Sequence, residues 1–378
     1  MTTTEYEVAE DFSRGRAWIE IDYGILHDNI RKIQSQLPPG CQLLPAIKAN
    51  AYGHGAIGVA KKLNEWGINI CCVASVKEAV ELRKNSVAGD ILILGYTHPQ
   101  QLALLTHYDL IQNVIDYDYA VLLSRYPQKI RVHIEVDSGL KRSGEDSSNS
   151  DKILAIFSFE NLLVEGIFTH FAATNEDFTH EQISRFEAVL TSIKKSGLSL
   201  PKVHAQASYG IFHAQQLNYN FARVGIALFG LYLDDNPTAQ SLRLQEVLSL
   251  KARVSSIREV KANETIGYHG SYIASQDMRI ATLTIGYADG IPRCLSNGNG
   301  AVLIKGKYAK IVGLICMDQM MVDISTIEEV EPGEIVTIIG QDQGAVISAF
   351  VIAEQADTSV IEIVSNLSYR LERCSKDT

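Results

Sequence analysis

Leu43-Leu44-Pro45-Ala46-Ile47-Lys48-Ala49-Asn50-Ala51-Tyr52-Gly53-His54-Gly55 is an apolar run that ends in a single lysine and then enters a turn of small residues. The pattern predicts a buried strand that delivers one amine to its C-terminal end. Two readings of Lys48 are open on this stretch alone. A lysine at a strand end is ordinarily solvated. A lysine held in a desolvated pocket has a lowered pKa and can form a Schiff base.

Outward from this stretch a rhythm sets in. Short apolar runs occupy 43–48, 69–74, 91–95, 110–115, 130–136, 164–169, 202–206 and 223–229. Most gaps hold amphipathic helical segments, such as 54–66 and 179–196. Strands alternating with helices in this way predict an α/β fold with an N-terminal (β/α)8 TIM-like barrel. A doubly wound open sheet is the competing reading. In a barrel, chemistry gathers at the C-terminal strand ends. Lys48 ends the first run, Arg142 lies just after the fifth, His170 follows the sixth and Ser208 follows the seventh. Arg223 opens the eighth run instead of closing it.

The flanks read differently. Residues 1–15 are polar and without periodicity, as a flexible tail or linker would be. Residues 17–22 alternate as a half-buried strand that could join either domain. Residues 23–37 have helical spacing, stopped by Pro38-Pro39-Gly40. After about 250 the βα rhythm ends. The segments 254–261, 279–285, 301–304, 309–314, 320–324 and 335–340 are β-rich with turn residues between them, and 348–357 reads as a helix. The expected division is therefore a tail at 1–15, a barrel at 16–250 and a C-terminal all-β domain at 251–378.

Composition narrows the function. A net charge of −10 argues against a nucleic-acid partner. No apolar run approaches the ~20 residues that span a bilayer. The polar, acidic start has no signal-peptide pattern. The 6 cysteines lack zinc or redox spacing, and Cys71-Cys72 sits in an apolar run where it would simply pack. A reduced, cytoplasmic compartment and no bound metal fit this usage.

The stretch from Lys48 to Gly55 resembles, without a break, the pyridoxal phosphate (PLP) lysine motif of the alanine racemase family. The resemblance extends from about Trp18 to Arg370. It implies a PLP-dependent racemase that interconverts L- and D-alanine and supplies D-amino acids for peptidoglycan precursors, as a homodimer with shared active sites. Lys48 would hold PLP and act as one base. Tyr268, in Ile266-Gly267-Tyr268-His269-Gly270-Ser271-Tyr272, matches the family's catalytic tyrosine and would reach the partner's barrel as the second base. Without the resemblance it would be an aromatic in a β-turn. His170 and Arg223 map to the pair that tunes this tyrosine, and Arg223 would also donate to the pyridine nitrogen.

The resemblance further assigns Tyr52, Ser208 and the amides of Gly225 and Ile226 to the phosphate. Arg142 would touch the PLP ring oxygen and the substrate carboxylate. Many relatives orient this arginine with a carbamylated lysine, and here Glu135 stands at that position and is expected to supply the anion directly. Ile285-Gly286-Tyr287-Ala288-Asp289-Gly290 and Ile315-Cys316-Met317-Asp318-Gln319 match two further motifs, with Tyr287 and Met317 lining substrate access. Ile361 falls where several relatives carry a tyrosine against the phosphate and the substrate side chain. That change predicts appreciable serine activity beside alanine. Membrane-anchored serine racemases of glycopeptide-resistant bacteria have catalytic domains of this kind, and residues 1–15 could be the end of a longer linker, making this the cytoplasmic domain of a larger protein. The rivals are a fold-related PLP decarboxylase, a non-catalytic PLP-binding barrel and a catalytically dead interaction module. Residues 253–370 argue against the non-catalytic barrel, the motifs around Tyr268 and Met317 fit a racemase better than a decarboxylase of the same two-domain plan, and the intact set of Lys48, Tyr268, His170 and Arg223 argues against a dead module.

Overall fold

The computed structural model describes residues 14–172, 175–232 and 235–376. The tail expected at 1–15 therefore lies, up to residue 13, outside the described residues. The chain divides into two compact units, Leu26–Gln245 and a second made of the residues up to Ile25 with Glu246 onward.

In the first unit, parallel strands run in the order Gln42–Pro45, Phe221–Val224, Lys202–His204, Leu162–Phe168, Ile130–Asp137, Ile111–Val114, Asp90–Ile93 and Ile70–Val73. A parallel bridge between Ala46 and Cys72 brings the two ends of this order together. These strands and the helices between them form the (β/α)8 barrel. The sequence encodes the alternation locally. The helix Val76–Lys84 begins at a capping box in which Ser75 and Glu78 satisfy each other's backbone amides. The helix Glu176–Lys195 is capped by Asn175, with Glu176 and Asp177 in its first turn and Lys194 and Lys195 in its last. Leu44, Ala46, Cys72, Leu92, Ile111 and Phe221 pack together as part of the core.

One boundary differs from the sequence reading. The eighth strand is Phe221–Val224, and Ile226–Phe229 is a 3₁₀ turn. Arg223 is thus near the C-terminal end of its strand, where barrel chemistry gathers. The apolar run continues past the strand and hides the break at Gly225.

The second unit is mostly antiparallel. Its strands follow the order Ala345–Ile347, Ile335–Asp342, Ala301–Ile304, Lys307–Val312, Met320–Asp323, Met278–Leu283, Leu248–Val260, Ala17–Ile21 and Glu372–Ser375. Ile335–Asp342 also pairs with Leu248–Val260, which closes part of the sheet into a ring. Over its first half the long strand Leu248–Val260 alternates buried and half-buried residues, as one buried face requires. Ala17–Ile21 pairs with both Leu248–Val260 and Glu372–Ser375, so it belongs to this sheet. The helix expected at 348–357 is Ala349–Gln355, and a second short helix, Val360–Ser365, follows it. Among the described residues no helix is long and apolar enough to cross a membrane.

Candidate active site

Lys48 follows the first barrel strand and starts a turn of unusual hand. Ala49, Asn50, Ala51 and Tyr52 all have positive φ, at 51°, 55°, 54° and 52°. A left-handed conformation costs an L-residue about 1–2 kcal/mol, so the surroundings must hold this turn. Glu78 accepts from the Ala49 amide at 2.7 Å. Asn50 Oδ1 accepts from the Ala56 amide at 2.8 Å. The buried His54 ring places Nδ1 3.0 Å from the Ala51 carbonyl and 2.8 Å from the Tyr52 carbonyl. Carbonyls only accept, so this nitrogen carries the proton. His54 also stacks on Phe229 at 4.1 Å. The motif's small residues, histidine and glycines together fix where Lys48 sits.

The turn delivers Tyr52 to a cradle. Its phenol is buried, and burial raises its pKa, so it remains a neutral hydroxyl. A Cβ added at Gly225 would lie 2.4 Å from the Tyr52 hydroxyl, so glycine keeps that space open. The buried Ser208 hydroxyl accepts from the Ala227 amide at 3.4 Å. Tyr52, Ser208, Gly225 and Ile226 thus meet where the eighth strand gives way to the Ile226–Phe229 turn. Hydroxyls and amides at a barrel's strand ends suit a phosphate.

Arg223 is buried and heavily anchored. Its Nη1 donates to His204 Nδ1 at 2.5 Å, and its Nη2 donates to the Thr169 carbonyl at 2.8 Å and to His170 Nδ1 at 3.1 Å. The guanidinium lies 4.6 Å from the Phe168 ring centroid. Burial lowers its pKa to about 10, which still leaves it charged near neutrality. Burial, with Arg223, Arg142 and Lys48 nearby, drives His170 down to about 3. His170 is therefore neutral. Its Nδ1 accepts from Arg223, so its Nε2 carries the proton and can donate.

Glu135 does not pair with Arg142. Its Oε2 accepts from Asn113 Nδ2 at 2.6 Å, and among the described residues no ion pair joins it to Arg142. The direct contact expected from the sequence is not formed, because the shorter carboxylate is taken up by the asparagine on the neighbouring strand. Arg142 itself is exposed.

The second unit carries the remaining residues. Tyr268 sits on the 3₁₀ turn Tyr268–Gly270 within the hairpin of Thr265–Ile266 and Tyr272–Ile273, and it is 66% exposed. The amides of Tyr287 and Ala288 donate to the carbonyls of Cys316 and Met317, each at 3.0 Å. Those two motifs are thereby zipped together. Gly286 permits it, since a Cβ there would lie 2.3 Å from the Cys316 carbonyl. Tyr268, Tyr287 and Met317 line one cavity of about 600 Å³. Ile361, on the helix Val360–Ser365, is not among its lining residues.

Sequence reading missed His133, His204, Asn113 and Glu78. His204 meets Arg223 and His133 meets His204, Asn113 meets Glu135, and Glu78 holds the amide next to Lys48. For His133, His204 and Asn113 the available signal was polar side chains within apolar barrel strands, as in Val132-His133-Ile134-Glu135, whereas Glu78 lies in a helix.

A barrel with a lysine following its first strand, hydroxyls and amides gathered at the end of its eighth and a buried arginine on that strand is an arrangement that a PLP-binding enzyme class would use. Comparison with known proteins makes this specific. Residues 21–233 match the alanine racemase N-terminal domain and residues 247–375 the alanine racemase C-terminal domain. The chain belongs to the alanine racemase family. It is 40% identical over 363 residues to an amino-acid racemase of Enterococcus faecalis, covering 94% of this chain and 51% of that protein. The chain spans about half the length of such relatives. It is 36% identical to the alanine racemase of Carboxydothermus hydrogenoformans, covering 94% of this chain and 98% of that one. The crystal structure of alanine racemase from Clostridium difficile superposes with a TM-score of 0.90 at 30% identity, covering 96% of this chain and 97% of that one.

Proposed function

We propose that this chain is a PLP-dependent racemase that interconverts the enantiomers of alanine, with serine as a second substrate. The observation that carries the reading is Lys48 on its tethered left-handed turn beside the cradle of Tyr52, Ser208 and Gly225. Tyr52, Ser208 and the Gly225–Ile226 backbone would hold the phosphate, Lys48 the aldehyde carbon and Arg223 the pyridine nitrogen. The chemistry PLP supplies when bound is withdrawal of electrons from the substrate's α-carbon, which makes its proton acidic.

The protein's own residues then decide the outcome. Lys48 Nζ exchanges a proton on one face of the α-carbon. Tyr268 of a second copy does so on the other face through its hydroxyl. A free phenol has a pKa of about 10 and needs stabilisation as it ionises. The neutral His170 offers its Nε2–H for that purpose, held in this tautomer by Arg223. Arginine does not surrender its proton, so Arg223 would donate to the pyridine nitrogen without protonating it and would thereby weaken its pull on electrons. That favours return of the proton to the α-carbon over transamination. Arg142 would receive the substrate carboxylate.

The dimer has support in the second unit. Tyr268, Met317 and Tyr287 are 66%, 54% and 42% exposed around one cavity. Large apolar side chains gathered this way mark a surface that a partner covers. The proposal for serine rests on Ile361, where a family tyrosine hydroxyl would be absent. Purified chain loaded with PLP should form the D-enantiomer from both L-alanine and L-serine. Turnover of neither would reject the reading, and turnover of alanine alone would remove serine from it.

A further inference from the structure

Arg223 is the start of a hydrogen-bond chain that runs down the barrel axis. Its Nη1 donates to His204 Nδ1, and His204 Nε2 lies 2.8 Å from His133 Nδ1. The protons in this chain are fixed by elimination. A guanidinium only donates, so His204 Nδ1 is an acceptor. Neutral His204 must then carry its proton on Nε2 and give it to His133 Nδ1. His133, also neutral, carries its own proton on Nε2. Burial holds both rings neutral, with Arg223 reinforcing the effect, His133 falling to about 3 and His204 well below its ordinary value.

The fold reserves space for this pair. Gly166 stands beside His133, and a Cβ there would lie 2.4 Å from His133 Nδ1. His204 is stacked at 4.7 Å on Phe168, the same ring that Arg223 covers. His133 is 2% exposed and lines a cavity of about 870 Å³ built from Ile111, Val203, Phe221 and neighbouring residues. No described protein group accepts its Nε2 proton. That nitrogen is not among the fully buried orphaned atoms, and the His133 ring lines the cavity.

We propose that His133 is a positioning residue for Arg223, acting through His204, with Gly166 making room for it. If His133 ceases to accept, His204 is free to move its proton to Nδ1. It then presents an N–H to a guanidinium that can only donate, and Arg223 loses its shortest anchor. The proposal rests on the PLP reading for its catalytic consequence but not for its hydrogen-bond logic.

The test uses the full chain with histidines labelled with ¹⁵N. In cofactor-free wild type, His204 should show a protonated Nε2 and an unprotonated Nδ1, with a downfield, exchange-protected imidazole proton. His133→Asn keeps an acceptor near the Nδ1 position and should retain that proton. His133→Leu and Gly166→Ala should lose it. In the loaded protein the latter two should raise transamination per racemisation about tenfold, as expected for one lost bond to a charged group, with KM unchanged. A wild-type His204 protonated on Nδ1 would overturn the proposal without any variant. So would a folded His133→Leu with an intact signal and wild-type partition, or a His133→Asn as impaired as His133→Leu. Absence of turnover in wild type would instead refute the function and leave the NMR result to stand.

Discussion

Replacing Ala49 by glycine should stabilise the protein, although alanine-to-glycine changes normally do the opposite. Ala49 has φ 51° and ψ 50°, and its side chain is exposed, so truncation removes no packing. Relief of the left-handed strain contributes about 1–2 kcal/mol. The more flexible unfolded chain takes back about 0.4–1 kcal/mol. The net expectation is a gain of up to about 1.5 kcal/mol from these two terms. Ala103, exposed in the helix Leu102–His107 of the same unit, is the control. Ala103→Gly should lose about 0.5–1 kcal/mol by ordinary helix propensity. Urea midpoints of the two variants should move in opposite directions from wild type. If both fall by the same amount, the turn at Lys48 is not strained and its tethers do not have the role given to them.

Three further changes probe other parts of the account. Gly225→Ala would drive a Cβ to 2.4 Å from the Tyr52 hydroxyl, so PLP affinity measured by spectral titration should fall at least about tenfold; unchanged affinity would mean the phosphate binds elsewhere. His133 and His170 are each held near 3 and His204 is also lowered, so the unfolded chain binds more protons than the folded one as pH falls from about 6.5 toward 3. Stability measured in urea should therefore drop over that window, by up to about 1.4 kcal/mol per pH unit per histidine, and the drop should shrink in His170→Asn; a flat profile would contradict the buried neutral rings. Asp289 is fully buried and meets Arg16 at 2.5 Å and Arg370 at 3.6 Å; Asp289→Asn should lower the urea midpoint by removing the charge that Arg16 and Arg370 meet and that accepts from the Gly286 amide, and an unchanged midpoint would show the pair to be ornamental.

Much of this architecture was legible because it is written in apolar periodicity. The barrel strands stand out as short buried runs between amphipathic helices, and Lys48, Arg142, His170 and Ser208 fall at or beyond their C-terminal ends. The eighth strand was misjudged for a physical reason. Val224 to Phe229 is apolar apart from one glycine, and the chain changes from strand to 3₁₀ turn at that glycine without a change of polarity. Glu372–Ser375 was missed because an edge strand of polar residues has no hydrophobic signature. The left-handed turn was hidden more deeply. Alanine, asparagine and tyrosine do not demand positive φ, and the groups that impose it include Glu78, which is distant in sequence. The same holds for the line from Arg223 to His133, since it joins three different strands and emerges only when the barrel order is known. Glu135 shows the converse risk. A position matched by sequence carried the expected charge, yet Asn113 on the adjacent strand determines what that charge meets.

Hydrogen exchange at the α-carbon, followed separately from L- and D-alanine in deuterated water, tests the central claim most directly. With one base on each face, Tyr268→Phe should abolish deuterium uptake starting from one enantiomer while the other still exchanges through Lys48. Equal loss from both enantiomers, or no loss from either, would contradict an account in which an amine of the barrel and a phenol of a second copy divide the two faces between them.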